Sequence, residues 1–178
     1  QKGIRAGGQK GWQQNIALVA ITIAVAGLDA WKTVNIDKDA DVARGAEYTT
    51  AWAAIANARE LARGSNVQDW NQATNMVITG TAGAQIMGDW AQGEFAVAEQ
   101  VEGTDYSCLP GLGLNPVLDT GGDAFYFPVN DDPEITAAQQ ELAALPISPE
   151  VQVSFNLAKG SLPARGELDM ACRLYTPD

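Results

Sequence analysis

The pattern of apolar and polar positions first picks out an uncharged run at residues 16–26. Its β-branched side chains at Ile16, Val19, Ile21, Thr22, Ile23 and Val25 leave helix and strand both open by periodicity. Length and alanine content favour a buried helix, interrupted by Gly27. The preceding residues 1–14 are rich in Gly, Lys and Gln and read as a loop leading into it. Residues 38–41 read as a charged surface turn. Over residues 46–62 the spacing is helical: Tyr48, Trp52, Ile55, Arg59 and Ala62 share one face, and Gly64 supplies the stop.

Capping residues mark the next elements. Asp69 is suited to open a helix whose Trp70, Ala73, Thr74 and Val77 lie together. Residues 80–83 break it, and residues 84–87 read as a short buried strand. Asp89-Trp90-Ala91-Gln92 fits a capping box with Asp89 as N-cap, which predicts a helix over residues 90–101. Trp90 then stands at a strand-to-helix turn, where open α/β folds hold ligands. Residues 111–122 form a loop, and residues 124–129 read as a strand that Pro128 confines to an edge.

Two further helices follow. One opens at Asp132-Pro133-Glu134 and ends near Leu145. The other opens at Ser148-Pro149-Glu150 and buries Val151, Phe155 and Ala158. Gly160 stops it, and Lys159 in the last turn suits the helix dipole. Short strands among longer helices predict a helix-rich α/β fold with a short central sheet, in one lobe over residues 1–178.

Charge narrows the function. The 178 residues carry 11 Lys+Arg against 22 Asp+Glu, a formal charge of −11, and no histidine. A Ser-His-Asp or Cys-His pair cannot be built within this chain, nor can the common histidine zinc sites. From Arg63 to Lys159 there are 13 acids and no base. Nucleic acid is therefore excluded as a partner, and an anionic membrane surface is disfavoured. A neutral partner is the expectation, beside the plainer reading that acidity keeps the protein soluble. Neither a metal nor a cofactor is expected. The run at residues 16–26 is well short of the ~20 residues that span a bilayer.

Few side chains remain as candidates for chemistry. Asp89 and Asp123 are the two carboxylates placed near loop ends, as a hydrolase acid pair would need, but the cap already accounts for Asp89. Ser161 lacks a histidine, and its spacing from Lys159 is not an SxxK motif. Residues 111–113 lack both the GxGxxG spacing and a following helix. Of the five tryptophans, Trp52 and Trp70 lie in apolar stripes and read as core, and Trp31 is ambiguous. Trp12 and Trp90 lie at loop-to-helix boundaries beside glycine. There a flat amphipathic ring either stacks on the C–H face of a sugar or merely staples a helix end. Cys108 and Cys172 are either buried thiols or one disulfide.

Three stretches in order carry a resemblance. They are Asp69-Trp70-Asn71-Gln72-Ala73, Ile86-Met87-Gly88-Asp89-Trp90-Ala91 and Phe155-Asn156-Leu157-Ala158-Lys159-Gly160-Ser161-Leu162-Pro163-Ala164-Arg165, with Gly7-Gly8-Gln9-Lys10-Gly11-Trp12-Gln13 upstream. The chain resembles the periplasmic (extracellular) solute-binding proteins of bacterial ABC sugar importers, most of all the glucose/monosaccharide branch. That resemblance implies a periplasmic-binding-protein-like (type II) fold, of which this chain is most of the carboxy-terminal lobe. The amino-terminal lobe is missing, and residues 173–178 stop before the family's final helices. It further implies a non-catalytic protein that closes on a glucose-like monosaccharide and delivers it to ABC permease subunits. By position, Trp12 and Trp90 line and stack on the sugar, Asp123 accepts from its hydroxyls and Lys159 donates to its oxygens. Cys108 and Cys172 match a cysteine pair in some relatives, which favours a disulfide. The alternatives are a carbohydrate-active hydrolase and a stable fragment that binds nothing.

Overall fold

A computed structural model describes residues 4–5, 11–63, 69–114, 117 and 119–168. The chain divides into two compact units, Gln1–Asp119 and Thr120–Asp178. The described residues are dominated by helices, with a sheet of only two short strands.

In the first unit, β1 (Ile4–Arg5) precedes α1 (Gly11–Ala26), which carries the uncharged run. The helix starts five residues before that run, and a strand lies in the segment expected to be a loop. Gly27 ends α1 as expected: its φ of 88° lies in the region that glycine alone enters freely. A helix not foreseen, α2 (Leu28–Asn35), leads to the one-turn α3 (Ala40–Ala43). The latter replaces the expected turn because the Asp39 carboxylate accepts from the backbone N–H groups of Asp41 and Val42.

Next comes α4 (Ala46–Leu61), which packs against α1. Its inner face is Tyr48 and Ala51, with Ile21 and Ile23 of α1 also buried. Trp52, expected in the core, is 49% exposed. One residue is a 100° step on a helix, so choosing Ala51 as the inward position turns Trp52 out. The Tyr48 hydroxyl accepts from Asn35 Nδ2 at 3.0 Å, tying α2 to α4. Burial raises the Tyr48 pKa, and the Asn35 bond opposes this.

Asp69 caps α5 (Trp70–Ile78), as expected, and Gln72 completes a capping box by accepting from the Asp69 N–H at 3.1 Å. Ala73 and Thr74 are buried as foreseen, while Trp70 is half-buried. The strand expected over residues 84–87 shrinks to β2 (Ala84–Gln85), which pairs in parallel with β1, Ile4 opposite Ala84 and Arg5 opposite Gln85. Gln85 is held to α5 through Thr74 Oγ1 and the carbonyl of Trp70.

α6 (Ala91–Val97) is shorter than predicted, and its N-cap position falls on Trp90, without a side-chain cap bond, instead of on Asp89. The N–H groups of Ala91 and Gln92 bond instead to the carbonyls of Gly88 and Asp89. These i→i−3 bonds make a tight entry into the helix. Gln92 turns inward and donates to Cys108 Sγ at 3.5 Å. A single 3₁₀ turn, Pro110–Gly113, follows. No helix among the described residues is long and apolar enough to cross a membrane.

The second unit holds α7 (Pro133–Ala144) and α8 (Pro149–Lys159). Asp132 caps α7 through the N–H groups of Glu134 and Ile135, as its sequence predicts. Gly160 ends α8 with φ 79°, and Ser161 N–H returns to the Asn156 carbonyl. The buried face of α8 differs from the expected stripe. Gln152 and Asn156 are buried and Phe155 is 55% exposed. Gln152 explains the choice: its amide donates to the Pro146 carbonyl and accepts from Ala164 N–H, clamping the chain on both sides of the helix. Residues 124–129 form no strand, and Tyr126 is 90% exposed. A strand needs a ladder partner, and among the described residues none pairs with this backbone. Its recorded tie is the Gln139 amide donating to the Pro128 carbonyl.

Candidate functional site

Trp12 and Trp90 come together within the first unit. Trp12 stands in the first turn of α1 and Trp90 at the entry to α6. Their ring centroids lie 6.2 Å apart with the planes tilted by 56°, within the range of favourable aromatic pairs. Trp12 remains 43% exposed and Trp90 half-buried, so the pair is a surface feature rather than core.

Two contacts hold this pair from below. Gln13, next to Trp12, is 1% exposed and its Nε2 donates to Asp69 Oδ1, so the first turn of α1 is tied to the cap of α5. The Trp90 ring lies over Gly88. A Cβ built at that glycine would fall 2.2 Å from Cζ3, 2.3 Å from Cη2 and 2.6 Å from Cε3 of the indole. Neither Gln13 nor Gly88 is among the candidates drawn from sequence. Gly88 sits in a quoted motif, but the contact depends on the turn geometry, which sequence did not reveal.

Asp123 and Lys159 come together within the second unit. Lys159 Nζ donates to Asp123 Oδ2 at 3.0 Å. The same ammonium lies 5.8 Å from the ring centroid of Phe155, one turn back on α8. Phe155 is thus a cation–π neighbour of the ammonium rather than part of the core. Asp123 is far more open to solvent than Lys159. A carboxylate accepts up to about four hydrogen bonds and an ammonium donates three, so the engaged pair retains capacity for hydroxyl groups. Among the described residues the buried Ser161 hydroxyl has no hydrogen-bond partner, so it makes no bond to Lys159 and no Ser-Lys arrangement forms.

Cys108 belongs to a separate cluster of the first unit. Phe95 and Tyr106 stack at 4.1 Å between centroids. Burial, together with the charge and hydrogen bond of Glu102, pushes the Cys108 thiol up to about 11. Burial, with Glu102 and Cys108, pushes Tyr106 up to about 12. Cys172, the other half of the expected disulfide, lies outside the described residues, as does Gly64. Among the described residues no group of His, Cys, Asp or Glu is arranged to hold a metal ion.

No protein-family model matches the chain. It is 36% identical over 167 residues to a protein of Rhizobium meliloti (strain 1021) named "probable sugar-binding periplasmic protein", an alignment covering 93% of this chain and 39% of that protein. A Mesorhizobium japonicum protein of the same name is 45% identical over 102 residues, 57% of this chain and 24% of its own. An uncharacterized ABC transporter extracellular-binding protein of Pyrococcus horikoshii is 28% identical over 163 residues, 89% of this chain and 35% of its own. The chain thus spans about two fifths of the length of the first of these relatives.

Proposed function

We propose that this chain is a sugar-contacting part of a solute-binding protein that works in the periplasm and serves an ABC importer. Its ligand is a neutral, glucose-like monosaccharide. It binds and releases this ligand without chemical turnover. Relatives named as sugar-binding and periplasmic support that class, and the acidic, base-free middle of the chain suits an uncharged partner better than an anion.

The observation that carries the reading is the Trp12–Trp90 pair. Two tilted indoles at 6.2 Å, one of them 43% exposed, offer flat apolar surface with a polar N–H edge. The axial C–H groups of a pyranose match such a face. Separately, within the second unit, the Asp123–Lys159 pair offers charged groups able to hydrogen-bond hydroxyls. The mechanism is closure of two lobes on the sugar, followed by docking on a permease.

We further propose that the chain acts with an amino-terminal lobe. The second unit supports this. Among its described residues every buried side chain is polar, while Phe125, Tyr126, Val129, Ile147 and Leu157 stand exposed. A longer protein of the relatives' size has the chain needed to cover them.

Titration of intrinsic tryptophan fluorescence with D-glucose, D-galactose and D-mannose tests the function. A saturable change with at least one sugar, lost in Trp90→Ala, is expected. Sugar responses identical in Trp90→Ala and the parent chain contradict it.

A further inference from the structure

We infer that Gly88 is a positioning residue for Trp90: the missing side chain at 88 is the space in which the indole lies. The backbone does not require glycine here, because Gly88 is absent from the residues with positive φ. Its need is spatial. The three Trp90 atoms that a Cβ would meet, at 2.2, 2.3 and 2.6 Å, are consecutive along one edge of the six-membered ring. Carbon atoms in van der Waals contact sit at about 3.5–4.0 Å, so no side chain, not even a methyl, fits without moving the ring.

The two residues are separated only by Asp89, within the turn closed by Ala91 N–H on the Gly88 carbonyl at 3.1 Å. That bond fixes the backbone on which both sit. The indole therefore has Gly88 against one edge and the tilted Trp12 ring 6.2 Å away. Gly88 contributes no contact of its own to a ligand. It sets the plane that Trp90 presents. The consequence for affinity rests on the sugar-binding reading above, whereas the placement of the ring rests on geometry alone.

The test is a double-mutant cycle on the full 178-residue chain: Gly88→Ala, Trp90→Ala and both together. Two readouts are followed, near-ultraviolet circular dichroism of the indoles and affinity for D-glucose, D-galactose and D-mannose. In Gly88→Ala the near-ultraviolet spectrum changes while the far-ultraviolet spectrum is kept, and sugar affinity falls about tenfold. In the Trp90→Ala background, where the sugar response is already lost, the same change leaves the near-ultraviolet spectrum of the remaining indoles unaltered, since the ring it would displace is gone. If Gly88→Ala prevents folding, recovery of the fold in Gly88→Ala/Trp90→Ala supports the clash, and failure in both overturns it. An unchanged indole spectrum in Gly88→Ala, or the same spectral change in both backgrounds, overturns the inference. If the parent chain binds none of the three sugars, the functional reading falls, and the indole spectrum still decides the role of Gly88.

Discussion

The buried amide of Gln13 donates to the carboxylate of Asp69, joining the first turn of α1 to the N-cap of α5 across 56 positions of sequence. The same Asp69 Oδ1 accepts from Trp70 N–H at 2.9 Å, so one oxygen serves a local cap and a long-range tie. Removing it costs both. Asp69→Ala should destabilise the chain by roughly 1.5–5 kcal/mol, the sum expected for a lost cap and a buried donor left unpaired. Asp69→Asn retains the accepting oxygen and should cost less. Urea unfolding followed by far-ultraviolet circular dichroism checks this, and equal midpoints for Asp69→Ala and the parent would contradict it.

The Lys159–Asp123 pair should behave in the opposite way. Both side chains reach solvent, and exposed ion pairs contribute about 0–1 kcal/mol. Asp123→Asn should leave the melting temperature nearly unchanged. If the carboxylate accepts from sugar hydroxyls, the same substitution should weaken sugar binding by about tenfold or more. Calorimetric titration beside a thermal melt separates the two effects. A large loss of stability with unaltered sugar affinity would assign the pair to the fold instead.

Cys108 should be a slow nucleophile. With its thiol near 11, about one molecule in a thousand carries the thiolate at pH 8, against about one in ten for a thiol at 9. In a Cys172→Ser background, alkylation by iodoacetamide should be slow at pH 8 and accelerate towards pH 11. Glu102→Gln removes a charge and an acceptor that favour the neutral thiol, and should speed the reaction at pH 8. Burial, the larger cause, remains. Equal rates in the two chains would show that Glu102 does not act on the sulfur.

The same cluster predicts an alkaline loss of stability. Cys108 and Tyr106 hold their protons more tightly in the folded chain than at their ordinary values of 9.0 and 10.0. A raised folded pKa stabilises fully below the unfolded value and loses that contribution as pH climbs through the folded one. Unfolding free energy should therefore begin to fall near pH 9 for the thiol and near pH 10 for the phenol, ending at about 11 and about 12. Urea midpoints between pH 8 and 11 measure it. Cys108→Ala should remove the earlier part of the decline, and an identical pH profile in that variant would contradict the assignment.

What could be read from sequence was local. The caps at Asp69 and Asp132 and the stop at Gly160 depend on residues within three or four positions, and all are found as expected. Positions that depend on a distant partner were not legible. Trp52 and Phe155 share helical spacing with their neighbours, but the inward face of α4 is Tyr48 and Ala51, and that of α8 is Gln152 and Asn156. Periodicity gives a stripe to within one residue, and packing selects the member that points in. The aromatic residues 124–129 have the composition of a strand, yet strand formation is a property of a pair. The Trp12–Trp90 approach lay within reach of sequence only as two separate boundary positions. Gly88 was hidden, because nothing in the string says that an indole folds back two residues.

The most direct test of the central claim is the indole N–H region of the ¹H–¹⁵N NMR spectrum during titration with D-glucose, D-galactose and D-mannose. Five tryptophans give five such signals, which single substitutions assign. The account predicts that the Trp12 and Trp90 signals move together and saturably with at least one of the sugars, while those of Trp31 and Trp52 stay in place. Absence of any movement at Trp12 and Trp90 up to about 0.1 M of each sugar, where even a millimolar site is filled, would contradict it.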